Sequence, residues 1–332
     1  MILAHANHLA TAGHEVIIET SLVDTVFNID SKVILTRVGQ SGKLGTLWRS
    51  FITKYTGTDL LVVDIIPLAC LLFFRNPGKV IYFAQDYDEA YYPFKLQKLF
   101  IRGLYFLGLN LFRIPTVVVS EKLGEFLSER FTASVEVAEN GVDTNVFYHD
   151  PDDELICLKE GRKALVVLSR GDHRKGFDLV PEILNLVQKG YGEHFEVWTV
   201  GEKVDGGFNG LRHRDFGYVD ENRLRQIFSS ADLFLYPTRH EGFGLMVLEA
   251  MFCLCPFVTT EAVPVAEHGK GGFVCPVGDV DSLAARVLQL FQLRFDEDGL
   301  LQRGAAARSY SLENSQKRFE QILCLKLTGD RN

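Results

Sequence analysis

The chain has 332 residues, of which 47% are hydrophobic and 23% charged, and its formal net charge is −8. That length suits two cores of ordinary domain size, and the acidic balance argues against a nucleic-acid binder. The longest apolar run, 60–74, is shorter than the about 20 residues of a membrane span, and the start lacks the basic and apolar parts of a signal peptide. Its six cysteines include no CxxC pair, which predicts a reducing, cytoplasmic location.

Short apolar runs alternate with helical patterns from one end of the chain to the other. The predicted strands are 15–19, 32–36, 60–66, 79–84 and 116–120, then 164–169, 195–200, 233–237 and 255–260, with later helices at 177–189, 221–229, 244–252 and 281–292. Parallel strands buried between helices give this alternation. Turn-forming residues between Asn140 and Gly161 separate the two series. We therefore predict an α/β chain of two doubly wound, Rossmann-like domains that face a cleft, with ligands at the carboxyl ends of the strands.

The strongest motif is HEGFGLMVLE at 240–249, which follows a predicted strand and opens a helix. Gly242 and Gly244 allow the backbone to approach a ligand closely, and the first amides of the helix suit a phosphate. Glu241 and Glu249 bracket this turn, and a carboxylate accepts hydrogen bonds from the vicinal hydroxyls of a ribose or hexose. The alternative interpretation is a glycine-rich helix start with two solvated glutamates.

A second motif, SRGDHRKG at 169–176, follows the first strand of the second series. Arg170 and Lys175 lie at its carboxyl end, where a diphosphate would bind. Arginine offers a planar fork and lysine a mobile point charge, and both are common phosphate partners. The alternative here is a solvated basic loop.

The two motifs at this spacing resemble the retaining GT-B glycosyltransferases of family 4, also described as glycosyl transferases group 1, of the bacterial surface-polysaccharide type. The resemblance runs from about residue 8 to about residue 325 and includes 13–16, 119–121, 140–143 and 278–281. It implies an acceptor-side domain over 1–148 and a nucleotide-sugar-binding domain over 149–312. A C-terminal helix at about 313–328 would pack back on the first domain.

The resemblance also implies how the donor phosphates are held. Arg170 and Lys175 would bind the diphosphate and stabilise the leaving nucleotide, which makes both of them catalytic. The backbone of Gly242, Phe243 and Gly244 would cap the phosphate and the sugar hydroxyls. No metal is implied, because the two basic side chains and the N-terminus of the helix would do its work. No cofactor is implied either, because the nucleoside-diphosphate sugar is the donor substrate.

The remaining implied roles concern the sugar, the ribose and the acceptor. Glu241 would contact the donor sugar near its anomeric carbon as a catalytic residue, and Glu249 would bind the ribose hydroxyls. Gln85, Asp86 and Asn140 would lie on the acceptor or sugar side. The implied reaction is hexosyl or deoxyhexosyl transfer, with retention, to a glycan or lipid-linked acceptor.

The start of the chain departs from the family pattern. Family members begin with a strand and a glycine-rich loop, whereas the first clear strand here, 15–19, matches their second. The first strand would therefore be missing from the N-terminal domain, and the true start would lie upstream. The alternative function is an inactive remnant that still binds a nucleotide sugar, and a third interpretation is a hydrolase that uses Glu241 and Glu249 as its carboxylate pair.

The segment 94–115 mixes cations with leucines and aromatic residues. Such a segment is typical of a core helix. Alternatively, it would give the protein a peripheral contact with the inner face of an anionic membrane.

Overall fold

The structure is a computed structural model that describes residues 1–20, 29–37, 42–208, 210–268, 271–293 and 307–329. The chain divides into two compact units. The first comprises Met1–Asn140 with Glu313–Asn332, and the second comprises Gly141–Leu312. Each unit is described by itself below.

The first unit alternates helices and strands along residues 1–140. Its elements are α1 (Ile2–Thr11), β1 (Val16–Thr20), β2 (Val33–Arg37), α2 (Gly42–Ile52), β3 (Leu61–Val63), α3 (Ile66–Arg75), β4 (Val80–Ala84), α4 (Lys95–Tyr105), β5 (Thr116–Val118), α5 (Glu121–Arg130) and β6 (Val135–Val137). A π-helical turn, Phe106–Leu111, follows α4 directly. The strand that ends near Ser120 was predicted to be the last of this unit, but β6 follows it and pairs with β5.

The strands of the first unit form two parallel sheets. One consists of β1 and β2, and the other has the order β3-β4-β5-β6. Every residue of β4 is buried, as its continuous apolar sequence VIYFA predicts for a strand covered on both faces. Among the described residues, no strand pairs with the second edge of β1 or of β3.

The second unit repeats the alternation with longer strands. Its elements are α6 (Asp153–Leu158), β7 (Lys163–Ser169), α7 (Val180–Tyr191), β8 (Phe195–Gly201), β9 (Arg212–Asp215), α8 (Glu221–Ser230), β10 (Leu233–Tyr236), α9 (Leu245–Phe252), β11 (Phe257–Thr260), α10 (Pro264–His268), β12 (Gly272–Cys275) and α11 (Val280–Gln292). Aspartates cap several helices. Asp220 Oδ1 accepts a hydrogen bond from the Arg223 amide at 2.8 Å, for example, and this satisfies one of the free donors of α8.

The sheet of the second unit has the order β12-β11-β10-β7-β8-β9, and all of its strand pairs are parallel. From β7 the chain builds outward through β8 and β9, then returns to the other side of β7 through β10, β11 and β12. The strand order therefore reverses between β7 and β10. Such a switch point is where open α/β sheets bind ligands.

The last helix, α12 (Leu312–Gly329), packs against the first unit. Gln316 Nε2 donates to the Ala4 carbonyl at 2.9 Å, and Glu320 Oε2 lies 2.9 Å from His8 Nε2. Phe319 stacks on the buried His5 ring with the ring centroids 4.3 Å apart. No helix within the described ranges combines the length and apolar character that a bilayer span requires.

Candidate functional site

Two loops meet at the switch point of the second unit. Residues 170–176 follow β7, and residues 237–244 follow β10. Since β7 and β10 are neighbouring parallel strands, both loops leave the sheet at the same edge. The two sequence motifs thus occupy the two loops that border the strand-order reversal.

Gly176 joins the two loops by close backbone contact. Its φ is +72°, in the left-handed region, and a Cβ atom on it would lie 1.9 Å from the Pro237 carbonyl oxygen. Only glycine avoids both the unfavourable φ and this overlap. The glycine that ends the basic motif is therefore required by the packing of one loop on the other.

Side chains of the loop 237–244 hydrogen-bond to the loop 170–176 and to Asp178 beyond it, and so stabilise that loop. The Thr238 hydroxyl donates to the Arg174 carbonyl at 2.9 Å, and the Arg239 amide donates to the same oxygen at 2.7 Å. The Arg239 guanidinium donates to both carboxylate oxygens of Asp178, at 2.7 and 2.8 Å. A bidentate pair of this kind restricts both partners. Sequence reasoning missed Thr238, Arg239 and Asp178, because nothing local indicates a pairing between residues that are 61 positions apart.

Lys175 and Glu241 form the centre of the site. Lys175 Nζ donates to Glu241 Oε1 at 2.6 Å, and both side chains are largely buried. The Tyr236 hydroxyl donates to the same Oε1 atom. Burial is the main cause that raises the pKa of Tyr236, followed by the charge of Glu241 and the hydrogen bond to it. Tyr236 therefore stays a neutral donor, and Glu241 Oε1 accepts from a cation and a phenol together.

Arg170 contrasts with Lys175. Its side chain is exposed, and among the described residues it has no ion pair or hydrogen bond. Its positive charge acts on the Tyr236 hydroxyl and favours ionisation, against the effect of Glu241. The next residue is anchored, since the Gly171 amide donates to Glu202 Oε2 at 2.9 Å. An available guanidinium thus stands beside the Lys175–Glu241 pair.

Gly242, Phe243 and Gly244 are buried and lead into α9. Gly244 caps the helix with a φ of +103°, and a Cβ atom there would lie 2.3 Å from Val263 Cγ1. The Val265 amide donates to the Phe243 carbonyl at 3.1 Å and holds the turn against the segment after β11. The start of α9 is fixed in this way, and the first amides of a helix have no intrahelical acceptor.

Glu249, on α9, carries a buried polar atom without a partner. Its Oε2 atom has no hydrogen-bond donor among the described residues. Burial, followed by the charge of Glu221, raises the pKa of Glu249 to about 7. A buried acceptor without a donor is costly, and a hydroxyl group of a ligand would supply that donor.

The residues predicted for the acceptor side belong to the first unit. Gln85 and Asp86 follow β4, and Asp86 accepts hydrogen bonds from the Tyr87 amide at 2.7 Å and the Tyr91 hydroxyl at 2.8 Å. Asn140 is buried at the end of the unit, and its Oδ1 atom lacks a donor within the described part of the chain. The structure groups Arg170, Lys175 and the residues of 241–249 in one unit and these three residues in the other.

The described residues also bear on metal binding. No group of three or more His, Cys, Asp or Glu side chains within the described ranges has an arrangement that could hold a metal ion.

Most of the second unit is similar in sequence to known proteins. Residues 162–292 match the family model described as Glycosyl transferases group 1. The chain is 38% identical to O-antigen chain mannosyltransferase B of Escherichia coli over 103 residues, which make up 30% of this chain and 27% of that protein. The chain covers less than two thirds of the length of the first curated relatives that it matches.

Solved structures match over nearly the whole chain. Sucrose-phosphate synthase from Thermosynechococcus elongatus has a TM-score of 0.77 at 16% identity, covering 99% of this chain and 93% of that one. HepE of Anabaena, solved in complex with UDP and glucose, has a TM-score of 0.70 at 16% identity and coverages of 97% and 95%. These likenesses, each at 16% identity, establish a GT-B fold, and the match to the group 1 glycosyltransferase model covers residues 162–292.

Proposed function

We propose that this protein transfers a hexosyl or deoxyhexosyl group from a nucleoside-diphosphate sugar to a glycan or lipid-linked acceptor, with retention and without a metal ion. The observation that carries the proposal is the hydrogen bond of 2.6 Å between Lys175 Nζ and Glu241 Oε1. It joins the loops after β7 and β10 at the switch point, with the unpaired Arg170 beside them.

The charge of the departing nucleoside diphosphate is the main chemical demand of this reaction. Arg170 is exposed and Lys175 is held by Glu241, and both would bind the diphosphate together with the first amides of α9. Fixed cations and amides that face a developing negative charge usually supply the largest share of catalysis. We assign the stabilisation of the leaving group to these cations, which is why the proposal involves no metal.

Lys175 would change partner when the donor binds. In the free protein it is held by Glu241 Oε1, which also accepts from Tyr236. A diphosphate oxygen competes for the ammonium group, and the Tyr236 hydroxyl then keeps Glu241 in place. Glu241 is thereby released to contact the donor sugar while its position is maintained.

Glu249 would bind the ribose. Its unpartnered Oε2 atom can accept a hydrogen bond from a ribose hydroxyl, which removes the cost of leaving that acceptor unsatisfied. The backbone of Gly242, Phe243 and Gly244 would cap the phosphate and sugar hydroxyls, as the fixed turn before α9 permits.

The known proteins support this choice of donor and acceptor. The Anabaena HepE structure was solved in complex with UDP and glucose, and the E. coli relative is named as an O-antigen chain mannosyltransferase. Gln85, Asp86 and Asn140 are proposed to act on the acceptor or sugar side.

Melting of the whole chain with UDP, GDP, ADP or dTDP, each with and without EDTA, tests the proposal. One nucleotide should raise the melting temperature, since a ligand at 100 times its Kd stabilises the native state by about 2.7 kcal/mol. Arg170→Ala, Lys175→Ala and Glu249→Ala should remove the shift. The control Lys189→Ala, on the exposed side of α7, should retain it, and EDTA should leave it unchanged.

An activity assay distinguishes an active glycosyltransferase from the inactive remnant. Release of nucleoside diphosphate from a nucleotide sugar in the presence of an acceptor glycan supports transfer. A melting shift without any turnover would indicate the inactive nucleotide-sugar-binding remnant. The absence of any shift in a protein that melts cooperatively would contradict the donor site itself.

A further inference from the structure

Glu202 lies directly after β8, which is the neighbour of β7 on the side away from β10. Its side chain is exposed, and it belongs to neither of the two sequence motifs. Because β7 and β8 are parallel, Glu202 reaches the same edge of the sheet as the loop 170–176. That loop therefore has a neighbour on each side, the loop 237–244 after β10 and Glu202 after β8.

The backbone of Glu202 is joined to Ser169, the last residue of β7. The Glu202 amide donates to the Ser169 carbonyl at 2.8 Å, and the Ser169 hydroxyl donates to the Glu202 carbonyl at 2.6 Å. Gly201 permits this approach, because its φ is +121° and a Cβ atom on it would lie 2.5 Å from the Ser169 carbonyl oxygen. The residue that precedes Arg170 is fixed in this way.

The side chain of Glu202 holds the residue that follows Arg170. Glu202 Oε2 accepts a hydrogen bond from the Gly171 amide at 2.9 Å. A carboxylate that accepts from a backbone amide forms a stronger hydrogen bond than a neutral acceptor does. Both chain neighbours of Arg170 are thus bound by one residue from the end of another strand.

The Arg170 guanidinium does not pair with this carboxylate. Among the described residues, Glu202 included, Arg170 has no ion-pair partner. An arginine side chain without a partner keeps its rotamer freedom, so the position and direction of its backbone determine what the guanidinium can reach. Glu202 therefore fixes the backbone around Arg170 while the charge of Arg170 stays available.

The segment that carries Glu202 is held from the other side by Asp215 of β9. Asp215 Oδ2 accepts from the Val204 amide at 3.1 Å. Asp215 Oδ1 accepts from the Gly217 amide and from the Thr199 hydroxyl, each at 3.1 Å. These bonds tie the segment to β8 and β9 without any part of the loop after β7. Glu202 is therefore a fixed point against which that loop can be held.

We infer that Glu202 is a positioning residue for Arg170. By holding the two residues beside Arg170, it directs the guanidinium towards the diphosphate of the donor. The inference rests on the proposed function, because it requires Arg170 to bind that diphosphate. A negative charge near a diphosphate opposes binding by Coulomb repulsion, so the contribution of Glu202 comes from its hydrogen bond to Gly171 and not from its charge.

Isothermal titration of UDP, GDP, ADP and dTDP into the whole chain, and of the one that binds into the variants, tests the inference. Glu202→Ala removes the acceptor of the Gly171 amide and should raise the Kd about tenfold, as the loss of one hydrogen bond to a charged group predicts. Glu202→Gln keeps an acceptor oxygen and loses only the charge, so its Kd should stay within about threefold of the unchanged protein. Equal losses in the two variants would show that the charge of Glu202 matters and would overturn the inference.

Asp205→Ala is the matched control. Asp205 is an exposed carboxylate of the same segment, 3.5 Å from the exposed Lys203, so its removal makes the same change in net charge. Its Kd should stay within about twofold of the unchanged protein, and cooperative melting verifies that each variant is folded. A loss as large as that of Glu202→Ala would contradict a specific role of Glu202.

A double-mutant cycle with Arg170→Ala tests whether Glu202 acts through Arg170. In the Arg170→Ala protein, titrated at nucleotide concentrations raised to match its weaker binding, Glu202→Ala should change the Kd by less than about twofold, because no guanidinium is left to direct. The same loss in both backgrounds would show that Glu202 supports the site without Arg170, and the positioning role would be wrong.

The unchanged protein distinguishes failure of this inference from failure of the proposed function. If none of the four nucleoside diphosphates binds to it, the proposed donor site is wrong, and the role of Glu202 is wrong with it. If one of them binds, and Glu202→Ala binds it equally tightly, the donor site stands and only the positioning role is overturned.

Discussion

The two units hold their basic side chains in different ways. Around the ends of β7 and β10, Lys175 lies 2.6 Å from Glu241, and Arg239 binds Asp178 through two hydrogen bonds. On α4, Lys95 has no ion-pair partner within the described part of the chain, and the segment around it contains no carboxylate. The first arrangement fixes cations at defined positions, as recognition of a small anion requires. The second leaves a cation unpaired beside exposed apolar side chains.

This difference indicates how each region should respond to substitution. In the second unit, single changes should have large effects, because Lys175 and Arg239 are each fixed by a partner across the two loops. On α4, single changes of Lys95 or Lys98 should have small effects on stability, because no ion pair with a described residue holds either side chain. Substitutions in the second unit, where partners fix the side chains, provide the tests.

Lys175→Ala should have the largest effect. It removes the cation that we assign to the departing diphosphate, and the loss of one group that stabilises developing charge typically lowers kcat by about 10²–10³-fold. Steady-state kinetics with the nucleotide sugar that stabilises the protein would measure it. Lys189→Ala, a matched change on the exposed side of α7, should leave kcat unchanged, and a similar loss in both variants would contradict the assignment.

Gly176→Ala should cost the most stability. The substitution places a Cβ atom at a φ of +72° and 1.9 Å from the Pro237 carbonyl oxygen, so the free energy of unfolding should fall by at least about 3 kcal/mol. Urea denaturation would measure the fall.

Gly161→Ala is the control for this glycine. Gly161 has a φ of +80°, but its Cβ atom would meet no atom within 4 Å, so only the backbone strain of about 1 kcal/mol applies. Equal losses at the two glycines would show that the contact between the loops contributes nothing.

Tyr236→Phe should have an intermediate effect. It keeps the ring and removes the hydroxyl that holds Glu241, so kcat should fall about tenfold with little change in the KM for the donor, as the loss of one hydrogen bond to a charged group predicts. The optimum pH should stay in place, since Tyr236 is a neutral donor throughout. A rise in KM with an unchanged kcat would show that Tyr236 serves substrate binding instead of the position of Glu241.

The titration of Glu249 should give the smallest effect. Its pKa is raised to about 7 in the free protein, so its contribution to stability is present at low pH and is lost as the pH rises from about 4.5 towards 7. Hydroxyl groups of a bound ribose would donate to the carboxylate and lower this pKa. Nucleotide binding at pH 7 should therefore release protons, which calorimetry in buffers of different ionisation enthalpy would detect.

Two variants verify that this proton comes from Glu249. Glu249→Gln should abolish the release and the associated pH dependence of stability. Glu221→Gln should reduce the release, since the Glu221 charge contributes to the raised pKa. Uptake of protons by the unchanged protein would contradict the proposed contact with the ribose.

Much of the fold follows from local pattern, and the exceptions share a physical cause. The predicted strands at 164–169, 195–200 and 233–237 coincide with β7, β8 and β10 to within one residue. Strand β9 was not predicted, because its sequence RHRD contains no apolar residue. It lies at the edge of the sheet, where Arg214 Nε donates to the buried Glu196 at 2.9 Å. Strands β6 and β12, of three and four residues, also form edges and are too short to show a periodicity of their own.

In the site, too, features set by neighbouring residues could be predicted, whereas contacts between residues far apart in the sequence could not. The glycines and charged residues of the two motifs could be identified because the turn at each strand end imposes a local pattern. The bond from Lys175 to Glu241 spans 66 positions and depends on the adjacency of β7 and β10, which no local pattern specifies. Tyr236, the last residue of β10, could have been suspected from its place before the loop, but its hydrogen bond to Glu241 could not.

The central claim is that Lys175 is held by Glu241 in the free protein and moves to the diphosphate when the donor binds. Isothermal titration of the matching nucleoside diphosphate into the unchanged protein and into Glu241→Gln tests it most directly. Glu241→Gln should bind the nucleoside diphosphate at least as tightly as the unchanged protein, because Lys175 loses its competing partner, while transfer of the sugar should be lost. Weaker binding by Glu241→Gln, to the same degree as by Lys175→Ala, would contradict the exchange.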